Sequence, residues 1–348
     1  MDVGRLVDRI FWDILRNMMK RMKPETLVTC KYCGSDNIVK NGTRKGTQYW
    51  LCKHCGHGFV DNKGIPGSRY SIDVVARALY NYYAGMSLNA ISEGVRQETG
   101  DYPSDSAIYG WLAKYTRIAL DESEKHQPKV GKKWVMDETV VKLNGNKWWL
   151  ITAIDADTRY LLGTKLSTGR NHKDIKEVLE TATAKTGTIP SEVLTDGWGG
   201  YREALEQAYG ADSKHIVSTP FADKELSTNL MERWNGTLKD RLKPMRGMDR
   251  NTNFQLILDG FVFYYNYLKP HMGIGDITPA QAAKADYPYK SWRDIVESQM
   301  PDMDIPEGTE VEYRVRRKPK VVKGKKKGGR RKGRGKDDNQ TTMGGMRG

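Results

Sequence analysis

Apolar residues in the first 22 positions fall at helical spacing. Val3, Leu6, Val7, Ile10, Phe11, Ile14, Leu15, Met18 and Met22 share one face, with Arg and Asp opposite, so residues 1–25 read as an N-terminal amphipathic helix. Its apolar face either packs on its own protein or serves self-association. Residues 61–70 contain Gly and Pro among polar residues and read as a linker. Three helical segments follow, Ser71–Ala84, Ser87–Thr99 and Ser104–Leu120. Ser71 is suited to an N-cap, Gly85 precedes the second segment and Pro103 the third. A short helix, a tight turn and a longer helix suggest a helix-turn-helix over residues 70–121, with Ser106, Tyr109 and Lys114 reaching outward from the recognition helix. A three-helix bundle of another purpose is the alternative. Residues 121–133, charged and Pro-containing, form a second linker.

At Trp134 the pattern becomes that of strands. Trp134–Lys142 and Lys147–Ile154 are rich in β-branched and aromatic residues, and Asn144-Gly145 between them signals a two-residue hairpin. A turn at residues 155–158 leads to a third strand, Tyr160–Leu166. Alternation along the first strand places Val135, Asp137, Thr139 and Val141 on one face. Apolar residues occupy both faces, as in a central strand covered by helices on each side. Further on, His172–Thr186 and Gly199–Tyr209 read as helices, Glu192–Leu194 and His215–Ser218 as strands, and residues 228–243 and 251–268 as helices. The order βββ-α-β-α-β-α-α gives an α/β domain with a mixed five-stranded sheet flanked by helices. Asp137 in such a strand is costly to bury without a cationic partner. Glu138 points to the opposite face, and Asp155 and Asp157 fit the turn; these three read as structural.

Charge changes the picture at both ends. The 348 residues carry a net +14, but 14 Lys or Arg and no Asp or Glu lie between Arg314 and Lys336. The tail, residues 314–348, is too polar to bury a core and reads as a disordered segment binding phosphates without regard to sequence, or as a solubilising appendage. Residues 1–70 carry +7, so the intervening body is slightly acidic. No run of about 18 apolar residues exists to span a membrane, and the N-terminus lacks the features of a signal peptide. A reducing compartment holding nucleic acid is expected, the cytoplasm and its nucleoid. All four cysteines form two C-x₂-C pairs, Cys30/Cys33 and Cys52/Cys55, 18 residues apart. Within residues 26–62 they read as a zinc ribbon holding one structural Zn²⁺, the alternative being disulfides or unrelated buried thiols. Lys40, Arg44, Lys45, Lys53, Tyr49 and Trp50 between the knuckles either face nucleic acid or line a solvated strand edge.

Three carboxylates stand out for their placement. Asp137 lies in the central strand, and Asp196, followed by Gly197, closes a strand where side chains emerge into the crevice of an open α/β sheet. Glu232 lies in a helix with Lys239 two turns later on the same face, and Asn229 and Asn235 three residues to either side. Such carboxylates can converge on two divalent cations, the arrangement that clamps both oxygens of an in-line phosphoryl displacement. Oxygen ligands suit Mg²⁺ or Mn²⁺, and the cations would offset the cost of Asp137.

WVMDETVV, LTDGWGGY and NLMERWNGTLKDRLK together resemble the D,D,E core of insertion-sequence transposases and retroviral-type integrases. The 35 residues between Asp196 and Glu232, and Lys239 seven residues after the Glu, match the spacing of that superfamily. FYYNYLKPHMGIGDITPAQAA (263–283) is similar to the closing segment of integrase-core transposases. The resemblance implies a ribonuclease-H-like catalytic core over residues 132–290, preceded by the zinc ribbon and helix-turn-helix and followed by an extension over 291–313. It further implies metal-dependent strand cleavage and strand transfer. Asp137, Asp196 and Glu232 would hold two Mg²⁺ or Mn²⁺ per site. Lys239, with Asn229 and Asn235, would contact DNA. The partners implied are double-stranded DNA, as element ends and target, and further copies of the chain in a homodimer or higher oligomer; no membrane is involved. Trp198 either stacks on an unpaired base or belongs to the core. Two rival readings are a DNA-binding regulator with a relic core and a structure-selective nuclease on the same fold. The intact triad with its Lys speaks against the first, and the ribbon and helix-turn-helix speak against the second.

Overall fold

The structure is a computed structural model and describes residues 28–44, 46–143, 145–218, 229–243 and 254–301. The expected N-terminal helix and the basic tail lie outside these residues. So do Lys45, Asn144, residues 219–228 and 244–253, and residues 302–313 of the C-terminal extension.

Three short strands, β1 (Ile38–Arg44), β2 (Thr47–Cys52) and β3 (Gly58–Phe59), form an antiparallel sheet in that order. Its small core consists of Cys30, Cys52 and Phe59, flanked by Val28, Tyr32, Ile38 and Trp50. Each C-x₂-C pair closes a tight knuckle: the Gly34 N–H donates to the Cys30 carbonyl at 2.7 Å, and the Gly56 N–H to that of Cys52 at 3.0 Å.

Helices α1 (Ile72–Tyr83), α2 (Leu88–Thr99) and α3 (Asp105–Ser123) begin at Ser71, Ser87 and Ser104. Each serine hydroxyl accepts a backbone N–H from three residues on, at 3.2 Å, so the caps satisfy donors the helices leave open. Ser106 and Lys114 are exposed along α3, while Ile108, Leu112, Tyr115 and Ala119 face inward. The buried faces of α1–α3 join the same continuous hydrophobic cluster as the larger sheet. The junction is aromatic. Tyr83 of α1 meets Phe261 of α7 (Phe254–Phe263) edge-on at 5.2 Å and stacks on Trp292 of α9 (Trp292–Glu297) at 5.1 Å. Its hydroxyl bonds to that of Thr116 at 2.6 Å. A Cβ on Gly260 would lie 2.1 Å from the Tyr83 hydroxyl, so the approach of α7 to α1 needs that glycine.

The larger sheet has β4 (Lys133–Leu143), β5 (Asn146–Asp155), β6 (Leu161–Ser167), β7 (Glu192–Thr195) and β8 (Lys214–Val217), in the order β6-β5-β4-β7-β8. The β4–β5 and β5–β6 pairs are antiparallel, β4–β7 and β7–β8 parallel. With α4 (His172–Thr186), α5 (Gly199–Tyr209) and α6 (Asn229–Leu242), this is the mixed five-stranded sheet flanked by helices expected from the sequence. β4 is central, and Trp134, Val135 and Met136 are all buried, as a strand covered on both faces requires. After α7 the chain tightens into a π-turn, Tyr264–Leu268, where Asn266 bonds both ways with the backbone of Leu161 at 2.9 Å. The Tyr-Asn pair of the closing segment thus pins that segment to the start of β6. Then α8 (Pro279–Ala282) starts with a full capping box, Thr278 with Gln281. No described helix is long and apolar enough to cross a membrane.

Candidate active site

Parallel pairing of β4 with β7 runs only from Lys133↔Glu192 to Val135↔Leu194. Beyond that point the strands part, so Asp137, Glu138 and Asp196 come together where they diverge, the usual ligand position in an open sheet. One carboxylate oxygen from each lies within 4.8 Å of the others. Asp137 pairs across with Thr152 of β5, and α6 covers this face. The Asn235 amide donates to Asp137 Oδ2 at 2.9 Å, and the neighbouring Trp234 indole N–H approaches Thr152 Oγ1 at 3.4 Å. Burial pushes the Asp137 carboxyl up to about 6, and the charges of Glu138 and Asp196 add to it. The Glu138 backbone N–H and the Asn235 amide pull the other way.

Asp196 follows β7 directly. Gly197 takes φ +87°, and a Cβ there would lie 2.5 Å from Val217, so the sharp exit from the strand needs glycine. The Trp198 N–H then donates to Asp196 Oδ1 at 3.0 Å, and Trp198 begins α5. On the other face of β4 the Glu138 side chain is only 3% exposed. It accepts from the Tyr201 hydroxyl and pairs with Arg170. The Arg170 guanidinium also stands 3.4 Å from Asp196 Oδ2, over the Trp198 ring at 4.6 Å and the Trp149 ring at 5.2 Å. Carboxylates this crowded, with one guanidinium among them, suit a hard divalent cation.

Residues 131–271 match the family DDE_Tnp_IS240, a DDE domain. This stretch is thus similar to the DDE domains of insertion-sequence transposases. A transposase for the insertion sequence-like element IS431mec of Staphylococcus aureus is 30% identical over 130 residues, 37% of this chain and 56% of that protein. An uncharacterized protein of Methanocaldococcus jannaschii is 26% identical over 220 residues, 60% of this chain and 93% of that protein. The chain thus spans about half the length of the curated staphylococcal transposase. Among solved structures, the HTLV-2 integrase catalytic core domain with magnesium, in a dimeric form, covers 45% of this chain and 97% of its own, at 18% identity and a TM-score of 0.36.

Within the matched stretch, Asp137 and Asp196 come together and Glu232 stands apart from their group. Glu232 is exposed on the first turn of α6, three residues before Asn235. Met231, Trp234, Asn235 and Leu238 form the buried face of that helix, while Asn229 and Lys239 are exposed with Glu232. Asn235 therefore differs from the expectation that it reaches DNA: it is turned inward onto Asp137. Glu138 differs too. It does lie on the face opposite Asp137, but the end of β4–β7 pairing brings its carboxylate into the same group. Asp155 behaves as a turn residue, accepting from the Thr158 N–H at 2.9 Å. Trp198 is half-buried against the core and covered by Arg170. Sequence reasoning passed over Arg170 and Tyr201, whose only signal was their nearness to the GR-N and GWGGY turns.

In the ribbon, the Sγ atoms of Cys30, Cys33, Cys52 and Cys55 all lie within 4.8 Å of one another. The Cys30–Cys55 and Cys33–Cys52 pairs are each 3.6 Å apart. A tetrahedron of sulfurs about 2.3 Å from a central Zn²⁺ has edges of about 3.8 Å, so the four thiols fit such an ion. Burial pushes the Cys33 and Cys55 thiols up, the cost a bound cation removes. His57 is occupied elsewhere, stacked on Tyr32 at 4.3 Å.

Proposed function

We propose that this chain is a DDE transposase that cuts DNA at the ends of its element and joins the 3′-hydroxyls to target DNA. The observation that carries the reading is the meeting of Asp137 and Asp196 where β4 and β7 part, with α6, the helix of Glu232, tied to Asp137 through Asn235. Asp137 and Asp196, completed by Glu232 from α6, would hold two Mg²⁺ or Mn²⁺ per site, which would supply Lewis-acid chemistry for an in-line phosphoryl displacement. The chain supplies orientation. Asn235 fixes Asp137, the Trp198 N–H and Arg170 fix Asp196, and the exposed Lys239 and Asn229 flank Glu232 where phosphates pass.

Recognition belongs to other parts of the chain. The ribbon at 26–62, holding one Zn²⁺, and the helix-turn-helix at 70–121 read the ends of double-stranded DNA, while the tail at 314–348 holds any duplex by charge. Residues 132–290 are the catalytic unit and 291–313 an extension. Two ends must be brought together, so the active form is a homodimer or higher oligomer on DNA, at the nucleoid in the cytoplasm. The test is incubation of the full chain with a flanked element end and Mg²⁺, resolving nicked, joined and uncut products. Nicking and joining at the end support the reading. Binding without cutting would make the chain a regulator, and cutting set by DNA shape rather than end sequence would make it a structure-selective nuclease.

A further inference from the structure

We infer that Arg170 is a positioning residue that holds Asp196 in the orientation a divalent cation needs, and that Glu138 is the buried anchor that keeps Arg170 in place. This rests on the reading that Asp137 and Asp196 hold the cation. The argument begins at Glu138, whose side chain is 3% exposed. A carboxylate that deep is tolerated only when paired and hydrogen-bonded. Oε2 accepts from the Tyr201 hydroxyl, and Oε1, which has no hydrogen bond of its own, is ion-paired with Arg170. Glu138 is therefore buried with its charge offset by Arg170, whereas the Asp196 side chain is 47% exposed to the crevice.

Arg170 is held by several contacts. Its guanidinium lies over both the Trp149 and Trp198 rings, and one of its terminal nitrogens is shared between Glu138 and Asp196. The segment carrying it is pinned as well: Ser167 Oγ donates to the Gly169 carbonyl at 2.7 Å, and Asn171 caps α4 by accepting the Asp174 N–H at 2.9 Å. Asp196 is consequently held at both oxygens, Oδ1 by the Trp198 N–H and Oδ2 by Arg170, with a lone pair on each left for a cation. Two effects of Arg170 oppose each other. A bare guanidinium beside the site would repel a divalent cation, but pairing with Glu138 cancels most of that charge. What remains is orientation, and outer partners of this kind are worth about 10- to 100-fold in metal affinity. Lysine cannot replace it, since a point charge neither bridges two carboxylates nor stacks between indoles.

The test is calorimetric titration of the full chain with Mn²⁺, with thermal melts to confirm folding. Asp196→Asn should abolish the heat. If it does not, or if the wild type gives none, the underlying assignment of the cation site falls, and this inference with it. Where that control holds, Arg170→Lys and Glu138→Gln should each weaken Mn²⁺ binding about 10- to 100-fold while remaining folded. Unchanged or tighter binding in either folded variant overturns the inference, because the pair would then be a structural contact or a repulsive charge. Should the single variants fail to fold, the neutral pair Glu138→Gln/Arg170→Gln replaces them. Weakened binding there supports the inference and unchanged binding overturns it.

Discussion

Asn235→Ala removes the hydrogen bond that α6 makes to Asp137. Asn235 is 8% exposed, and its amide lies 2.9 Å from Asp137 Oδ2. Asp137 titrates near 6 rather than its ordinary 3.8, mainly because it is buried. A hydrogen bond to a charged acceptor contributes about 1.5–3 kcal/mol, and each pH unit corresponds to about 1.4 kcal/mol. Loss of the amide should therefore raise the Asp137 titration by about 1–2 units; the crevice admits water, so about 1 unit is expected. The sign follows from linkage. The folded state binds this proton more tightly than the unfolded chain, so the group's contribution to metal-free stability is greatest below 3.8. It declines as pH rises towards 6 and is flat above. Cation uptake needs the carboxylate, so it rises with pH through the same range. In Asn235→Ala both profiles should move to higher pH by about 1 unit. Mn²⁺ titrations from pH 5 to 8.5, with metal-free melting temperatures at each pH, measure this. Coincident profiles for wild type and variant would refute the reasoning, since the amide would then contribute nothing to the charged form.

Other expectations are more direct. Asp137→Ala, Asp196→Ala or Glu232→Ala should each abolish cleavage and joining while end binding is retained; strand transfer by any of them on pre-nicked ends would remove that residue from the set. Cys52→Ser should release one Zn²⁺ per chain and lose specific end binding, and active protein free of zinc by elemental analysis would rule out the ribbon site. Deleting residues 314–348 should weaken binding to all duplexes alike and flatten the dependence of log K on log salt, by roughly five units if about six phosphates are released. An unchanged slope leaves the tail a solubilising appendage. Gly260→Ala forces a methyl against the buried Tyr83 hydroxyl and should cost about 1–3 kcal/mol of stability. Wild-type melting behaviour would show that α7 and α1 can part freely.

Helix α6 links the site to the three-helix unit. Its buried face holds Asp137 through Asn235, its exposed face carries Glu232 and Lys239, and near its end Arg241 donates to the Ala84 carbonyl at the close of α1. One helix thus touches both the sheet and the three-helix unit.

Local chemistry wrote part of this protein into its sequence. Serines before helical runs became caps, β-branched runs became strands, and two C-x₂-C pairs met as one group of thiols. Each depends on residues a few positions apart, or on a spacing that admits few closures. Asp137 was legible for a related reason: a carboxylate in an apolar central strand demands compensation wherever it sits. The compensation itself was not legible. Asn235 lies 98 residues from Asp137, and Arg170 reaches Glu138 and Asp196 from a loop whose sequence carries no strong pattern. Alternation along β4 separates Asp137 from Glu138. Only the sheet order, and the point where β7 leaves β4, decides that both carboxylates come within reach of Asp196. The merging of α1–α3 with the sheet was likewise a tertiary outcome. Amphipathic helices state that a face must be buried, and only packing against Phe261 and Trp292 determines what buries it.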